Sequence, residues 1–370
     1  MHLGRLSIGI CLAITSLCGT LNAAYVQTNL VSDINGLALA TDPSLKNPWG
    51  MSFSSTSPFW ISDQGTDVST LYNTNLAPAN FKQGLVVSTP APTGQVFNTS
   101  NSFILPVGGT KALFIFASLN GSINFWNGAQ GTTAVAQFVS STNSVYTGLA
   151  LGASNGSDFL YAADFANAKI DVVNSSYALA SSGGAFAFTD PNLPAGYSPY
   201  NIQNIGGKLY VEYDKVDPVT HRPTTTANTG IVDIFDTSGA LLQRLVTNAQ
   251  LNSPWGVALA PAGFGPFGGD LLVGNFGDGT ISAFDPTTGA FAGKVTDQAN
   301  NPIVNSGLWA LGFRATGSGF DPNTLFITAG INGEADGLFA QVQAVPEPAS
   351  IGLFALGLGA IAFLRRKGRG

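Results

Sequence analysis

The chain has few of the residues that commonly carry catalysis or bind transition metals. Its two cysteines, Cys11 and Cys18, lie within the first 24 residues, so the rest of the chain has no thiol, disulfide or cysteine-ligated metal site. His221 is the one histidine beyond that segment, and no His-x-x-x-His spacing offers a zinc site. These absences favour a protein that is not an enzyme, without deciding the question.

Charge is also scarce in this sequence. Lys, Arg, Asp and Glu together make up 10% of the chain, and the formal net charge is −6. Several of the basic residues lie close to the two ends of the chain, so the segment between the ends is more acidic still. An acidic body without a basic cluster argues against nucleic acid as a partner, because such binding depends on Lys and Arg placed at phosphates.

The first 24 residues have the pattern of a secretory signal peptide. Arg5 precedes an apolar run over residues 6–17, and the small residues Ala23 and Ala24 follow it. The run is shorter than an ordinary membrane-spanning helix. We therefore predict export and removal of residues 1–24, with a buried N-terminal helix as the alternative.

Residues 345–370 combine a stiff break, an apolar segment and a basic end. Prolines on both sides of Glu347 prevent a helix or a central strand there, and residues 351–364 carry no charge. The residues of the break and of the basic end are Pro346, Glu347, Pro348, Arg365, Arg366 and Lys367. The basic end favours the cytoplasmic side of a membrane.

This order resembles the PEP-CTERM sorting signal of Gram-negative bacteria. The resemblance implies recognition by an exosortase, cleavage near Pro346, and transient anchoring in the inner membrane by a single hydrophobic helix. It also implies a bacterium that makes exopolysaccharide or biofilm matrix. The alternative is a plain C-terminal anchor, which would have the same orientation and no cleavage.

Residues 25–344 almost lack helical periodicity and consist of short apolar-alternating segments separated by turn-forming residues. The motif at 47–53 (NPWGMSF) returns at 253–259 (SPWGVAL) and, less closely, at 307–313 (GLWALGF). Aromatic residues mark six such units at intervals of roughly 43–55 residues. These markers are Trp49, Phe103, Tyr146, Tyr200, Trp255 and Trp309.

Six units of three or four strands predict an all-β fold, a six-bladed β-propeller. Residues 26–34 precede the first unit, and the last unit lacks an outer strand. We therefore expect the N-terminal segment to complete the last blade and close the ring. Tandem β-sandwiches are the alternative, which explains the density of strands but not the regular interval.

Residues 160–170 (LYAADFANAKI) are similar to the repeat of NHL-type propellers. The segments 47–50, 270–279 and 328–339 resemble an uncharacterised family of exported propeller proteins, many of which carry PEP-CTERM tails. That resemblance extends over residues 29–342. It implies the propeller fold and brings no known activity with it.

Oxygen-bearing side chains fall at the ends of equivalent predicted second strands, at Asp63, Asp164, Glu212 and Asn275. Equivalent positions form a ring in a propeller, and oxygen ligands suit Ca²⁺. A Ca²⁺ site in the channel is therefore one hypothesis, although no cofactor is firmly implied. The other is that each residue caps its own turn.

The six aromatic markers are each predicted to begin an innermost strand, so we expect them to surround one mouth of the channel as a collar. Aromatic faces stack on the apolar faces of sugars. The alternative is that the rings only fill space between blades, since repeated positions are usually structural.

Two functions follow from these patterns. The first is a binding or scaffold protein of the cell envelope or extracellular matrix, with carbohydrate or another matrix component as its ligand. The alternative is a Ca²⁺-dependent hydrolase or lactonase that uses carboxylates in the channel.

Overall fold

The protein is almost entirely β-structure in the computed structural model, which describes residues 24–345 apart from 182–185, 248–249 and 315–318. The described strands form six sheets, which pack side by side in chain order around one axis. The last sheet packs against the first, so the ring is closed. The predicted all-β, six-bladed propeller is confirmed.

The strands and blades have the following bounds. The chain enters through β1 (Tyr25–Ser32) and β2 (Ala40–Thr41). Blade 1 contains β3 (Pro48–Ser52), β4 (Phe59–Asp63), β5 (Val68–Tyr72) and β6 (Lys82–Ser88). Blade 2 contains β7 (Pro92–Phe97), β8 (Phe114–Ser118), β9 (Ser122–Trp126) and β10 (Val135–Val139). Blade 3 contains β11 (Tyr146–Ser154), β12 (Ser157–Asp164) and β13 (Lys169–Asn174).

Blade 4 contains β14 (Tyr197–Ile205), β15 (Lys208–Lys215), β16 (Ile231–Phe235) and β17 (Leu241–Thr247). Blade 5 contains β18 (Pro254–Leu259), β19 (Leu271–Asn275), β20 (Ile281–Phe284) and β21 (Phe291–Lys294). Blade 6 contains β22 (Leu308–Phe313), β23 (Leu325–Ala329) and β24 (Leu338–Ala344), followed in space by β1 and β2. A short helix, α1 (Ile331–Glu334), joins β23 to β24.

The N-terminal strand closes the ring as the sequence predicts. Strand β1 pairs antiparallel with β24, from Tyr25 opposite Ala344 to Ser32 opposite Leu338. The Tyr25 hydroxyl also donates a hydrogen bond of 2.9 Å to the Phe264 carbonyl oxygen, which links β1 to blade 5. First and last strands of the described chain thus share one blade, and closure covers a sheet edge that would otherwise be open.

The strand pattern follows from burial on both faces of the central strands. All five residues of β4, β8 and β19 are buried, because each blade is covered by a neighbour on both sides. Tight hairpins connect the strands. Asn155 and Gly156 both have positive φ, at 49° and 77°, as the two-residue turn between β11 and β12 requires.

Among the described residues, no helix is long and apolar enough to cross a membrane. Residues 1–23 of the predicted signal peptide and the predicted tail helix at 351–364 lie outside the described residues, as do the six residues named for the sorting signal.

Candidate functional site

The innermost strand of every blade shifts register near its start. In blade 1, for example, Pro48 pairs with Asp63, whereas Met51 pairs with Ile61. In each blade one residue pair precedes the shift, and the next residue along the innermost strand occupies an equivalent place in all six blades. We call this place the plug position. It is occupied by Trp49, Thr93, Thr147, Tyr200, Trp255 and Trp309.

Four of the six predicted markers are therefore equivalent, and two are not. Phe103 lies between β7 and β8 rather than at the start of an innermost strand, and it packs on Phe125 and Tyr177. Tyr146 lies one residue before the equivalent position, where its hydroxyl donates a 2.7 Å hydrogen bond to Asp171. The aromatic assignment was wrong in blades 2 and 3 because threonine stands there instead.

The four equivalent aromatic residues meet at the propeller axis. Trp49 stacks on Trp309 at a centroid distance of 3.6 Å and meets Trp255 edge-on at 6.0 Å. Trp49 also contacts Tyr200, 6.4 Å away in the opposite blade, so the rings span the channel. All four are at most 4% exposed. We call Trp49, Tyr200, Trp255 and Trp309 the aromatic plug.

The predicted collar around one mouth of the channel does not form, because the four rings fill the propeller axis and are buried. Two of the four rings form hydrogen bonds: the Trp309 Nε1–H donates to Asn47 Oδ1 at 3.0 Å, and the Trp255 Nε1–H donates to the Thr147 carbonyl at 3.1 Å. The Trp49 Nε1–H and the Tyr200 hydroxyl are buried without a partner among the described residues. A direct role of these four rings in binding a ligand would require the plug to open.

Above the plug, the innermost strands approach one another closely. A Cβ added at Gly50 would lie 2.4 Å from the Thr93 carbonyl oxygen, and one at Gly256 would lie 2.2 Å from the Trp309 carbonyl oxygen. Real Cβ atoms do not approach backbone so closely, so glycine is required for this contact. The ring of close contacts forms the floor of a cavity.

The cavity is a funnel of about 590 Å³ that lies over this floor, lined by residues of the innermost strands. Its rim carries the residues four positions after the plug position of each blade. Blades 6, 1 and 2, which are neighbours, place Phe313, Phe53 and Phe97 there. The other three rim residues are Leu151, Asn204 and Leu259.

Carboxamides lie on the other side of the funnel. Blade 4, which is opposite blade 1 in the ring, contributes Asn201, Gln203 and Asn204 to the lining. On the aromatic side, blade 2 contributes Gln95, whose Nε2 donates to the carbonyls of Gly50 and Trp60 and whose buried Oε1 has no partner among the described atoms. Within the described chain, no lining residue is charged. One wall is thus aromatic and the opposite wall is a neutral hydrogen-bonding surface.

Phe53 is held from behind by a buried cation. The Arg314 guanidinium lies 4.8 Å from the centre of the Phe53 ring, 4.6 Å from that of Phe59 and 4.4 Å from that of Phe320. It also donates to the carbonyls of Ser54 and Ser57. Burial lowers the pKa of Arg314 to about 10, which leaves it charged at neutral pH. The Phe53 ring of the aromatic wall is therefore held in place from within the protein.

Three of the four predicted Ca²⁺ ligands form hydrogen bonds with neighbouring turns and strands, although Asp63 Oδ1 has no partner within the described chain. Asp63 accepts hydrogen bonds from the Thr70 amide and hydroxyl, and Asp164 accepts from the Asn167 amide nitrogens. Asn275 accepts from the Asn252 amide and donates to Thr280. These contacts agree with the turn-capping alternative.

Glu212 lies on β15 and is completely buried, as are the other three. It differs from them in its pairing, because it faces Asn201, the residue after the register shift, whereas the other three face the residue before the shift. Burial raises the pKa of Glu212 well above its usual range. Among the described residues, no group of three or more His, Cys, Asp or Glu side chains is arranged to hold a metal ion.

Two other features bear on the enzyme hypothesis. Residues 152–156 read Gly-Ala-Ser-Asn-Gly, the spacing of a nucleophile elbow, which sequence analysis did not single out. Here the segment is the turn of the β11–β12 hairpin, whereas that elbow requires a strand followed by a helix. His221 is exposed in the loop between β15 and β16, so the structure does not bring it to the funnel.

The chain is similar to uncharacterised proteins of Acanthamoeba polyphaga mimivirus. One is 34% identical over 330 residues, which cover 85% of this chain and 78% of the viral protein. The chain belongs to the family of that protein. Another mimivirus relative is 30% identical over 338 residues, and the match covers 86% of this chain and 86% of the viral protein. The family membership assigns no activity.

Residues 344–369 match the PEP-CTERM protein-sorting motif. This match confirms the resemblance of the tail noted in the sequence. It marks the chain as an exported, cell-envelope-associated protein.

Solved structures share the propeller fold at low sequence identity. An auxiliary nutrient binding protein from Bacteroides ovatus superposes with a TM-score of 0.57 and 12% identity, covering 88% of this chain and 78% of that one. The calcium-binding protein regucalcin from Agrobacterium tumefaciens has a TM-score of 0.50 and 11% identity, with 82% and 92% covered. At these identities the likeness shows the fold alone.

Proposed function

We propose that this protein is a binding protein of the cell envelope or extracellular matrix and that its funnel takes the end of a neutral carbohydrate chain. The observation that carries the proposal is the two-sided lining of the funnel. Phe53, Phe97 and Phe313 form an aromatic arc, and carboxamides of blade 4 lie opposite. The plug closes the far end, which favours a chain end over a chain threaded through the ring.

The chemistry of a sugar ring fits both walls. Its C–H faces stack on aromatic rings, while its hydroxyl groups bond to amide donors and acceptors on the edge. The uncharged lining offers no counter-ion, so transfer of an acidic sugar into it would be unfavourable. A volume of about 590 Å³ lies within the range of small-molecule pockets and accommodates a short oligosaccharide end.

Gln203 is the most informative residue to change. It lines the funnel, is only partly buried, and has no side-chain hydrogen bond among the described residues. We expect Gln203→Ala to weaken binding of cellohexaose, laminarihexaose or maltohexaose about tenfold, and Phe97→Ala to weaken it similarly. Isothermal titration calorimetry on the purified protein measures both effects, with hexagalacturonate as the acidic comparison.

Matched controls lie outside the funnel. Gln298→Ala and Phe291→Ala remove the same side chains from exposed positions on blade 5 or the loop that follows it. Both should leave the affinity unchanged. Absence of binding to all three neutral hexasaccharides, or equal losses in the control variants, would refute the carbohydrate proposal.

The runner-up, a Ca²⁺-dependent hydrolase or lactonase, draws on one observation, the carboxyl of Glu212 close to the funnel floor. Ca²⁺ requires six to eight oxygen ligands, and the other three candidate side chains are engaged in turns. Titrations with added CaCl₂ and with EDTA separate the two proposals. A carbohydrate site as proposed binds equally well in both.

The tail provides the second part of the proposal. We propose that an exosortase cleaves near Pro346, Glu347 and Pro348 after a tail helix has placed Arg365, Arg366 and Lys367 on the cytoplasmic side of the inner membrane. The propeller would then be released to the matrix, where exopolysaccharide is the expected partner. The last described strand, β24, ends at Ala344, so the cleaved bonds lie outside the blades.

Mass spectrometry of the protein from an exosortase-bearing host tests the sorting proposal. We expect a mature chain that begins near residue 25 and ends near residue 346. Replacing the Pro346-Glu347-Pro348 tripeptide by three alanines should leave the tail attached and hold the protein in the membrane fraction. An intact C-terminus on the native protein would instead indicate a plain anchor.

A further inference from the structure

One blade breaks the pattern of small residues at the funnel floor. On the innermost strands, the residue after the plug position is Gly50, Gly94, Gly148, Gly256 or Ala310 in five of the blades. The facing positions of the second strands hold Ser62, Ala117, Ala163, Gly274 and Thr328. Blade 4 has Asn201 and Glu212 at these two places, paired directly across β14 and β15.

Asn201 bridges the blades on either side of its own. Its Nδ2 donates a 2.6 Å hydrogen bond to the Trp255 carbonyl of blade 5. Its Oδ1 is directed at Gly148 of blade 3, where an added Cβ would lie 2.3 Å from it. Asn201 also lines the funnel, with 3% of its surface exposed, and it is the polar residue of the floor on this side.

Glu212 lies behind Asn201 and has no access to solvent. Neither carboxyl oxygen has a partner at ordinary hydrogen-bond geometry within the described chain, and the Asn201 side chain is the polar neighbour that opposes the rise in its pKa. Burial raises the pKa of Glu212 well above its usual range, which favours the neutral form of the carboxyl. A buried carboxyl without good partners opposes folding, and the other five blades carry no carboxyl at the equivalent position.

We infer that Asn201 and Glu212 form a subsite at the funnel floor that recognises a hydroxyl group on the terminal sugar of a neutral glycan. Asn201 is the binding residue, and Glu212 is a positioning residue that fixes the orientation of the Asn201 carboxamide. This inference rests on the proposed carbohydrate function. It adds that the floor of blade 4, rather than the rim alone, selects the ligand.

The test compares affinity with stability for the same variants. Glu212→Ala installs the residue that blades 2 and 3 have at this place. We expect it to keep or raise the thermal midpoint while it weakens binding of the best-bound neutral hexasaccharide about tenfold. Glu212→Gln, which preserves shape and a donor, should bind within about twofold of the unmodified protein. Asn201→Ala should bind as weakly as Glu212→Ala.

Ser62→Ala is the matched control, since Ser62 has the equivalent position in blade 1 and its buried hydroxyl also lacks a partner. It should leave the affinity unchanged. The inference is overturned if Glu212→Ala lowers the midpoint and keeps the affinity, if it changes neither, or if Glu212→Gln binds as weakly as Glu212→Ala. If Gln203→Ala weakens binding and both floor variants do not, the inference alone fails. If the unmodified protein binds none of the hexasaccharides, the proposed function fails with it.

Discussion

Val31→Asp should unfold the propeller. Val31 is 1% exposed on the closing strand β1, in a core shared with Phe59, Phe326 and Phe339 of blades 1 and 6. A carboxylate there would be buried without a partner, which we expect to cost about 4 kcal/mol or more in free energy of unfolding. Urea denaturation followed by circular dichroism measures the loss, and size-exclusion chromatography detects aggregation through the opened sheet edge.

Val26→Asp is the control, because Val26 has the same side chain on the same strand and is 47% exposed. We expect it to change the free energy of unfolding by about 0.5 kcal/mol or less. Equal effects of the two substitutions, or a folded monomeric Val31→Asp variant of normal stability, would mean that β1 does not close the ring in solution.

Trp309→Ala should be the most destabilising single truncation in the aromatic plug. Trp309 is fully buried, stacks on Trp49 and contacts Trp255 and Phe276. Loss of a buried tryptophan side chain typically costs about 3–5 kcal/mol, and the cavity it leaves would lie on the axis. Denaturant unfolding gives this number directly.

A double-mutant cycle separates the plug from general core packing. Trp49→Ala and Trp309→Ala should couple by about 0.5–1.5 kcal/mol because their rings stack. Trp126→Ala, in a separate core of blades 1 and 2, should add to Trp309→Ala within about 0.5 kcal/mol. Additivity in the first pair would contradict the stacked plug.

The number of blades and their closure were readable from the sequence because repeats were visible as text. The Pro-Trp-Gly motif at 48–50 and 254–256 marks the starts of two innermost strands in the structure. The predicted marker of blade 2, Phe103, was wrong because the markers were taken to be aromatic residues. The backbone requirement at that place is better marked by Pro92-Thr93-Gly94, which has the same proline and glycine as the other two motifs.

Burial of the plug could not be read from the sequence, because it depends on rings from blades 1, 4, 5 and 6 meeting at one axis. Repetition predicted their common height but not the width of the channel. The four predicted Ca²⁺ ligands do not occupy equivalent positions in their blades, and the reason is local. Asp63, Asp164 and Asn275 pair with the residue before the register shift, whereas Glu212 pairs with the residue after it. A shift of one residue places a side chain on the other face of a strand.

The funnel itself was missed because its polar wall consists of scattered carboxamides. Gln203 and Asn204 follow Asn201 on β14, and nothing in their spacing distinguishes them from surface residues. Only the ring arrangement places them opposite the phenylalanines of blades 6, 1 and 2. The departure of blade 4 from the repeat is a signal that a blade-by-blade alignment of the sequence, started at the correct glycine, would have revealed.

The most direct test of the account is a crystal structure of the protein with the best-bound neutral hexasaccharide. We expect one chain end in the funnel, with a sugar face on Phe97 or Phe313, hydroxyls bonded to Gln203, and the terminal residue at Asn201. The plug should remain closed beneath it. A sugar bound on the outer strands, with the funnel free of carbohydrate, would contradict the central claim.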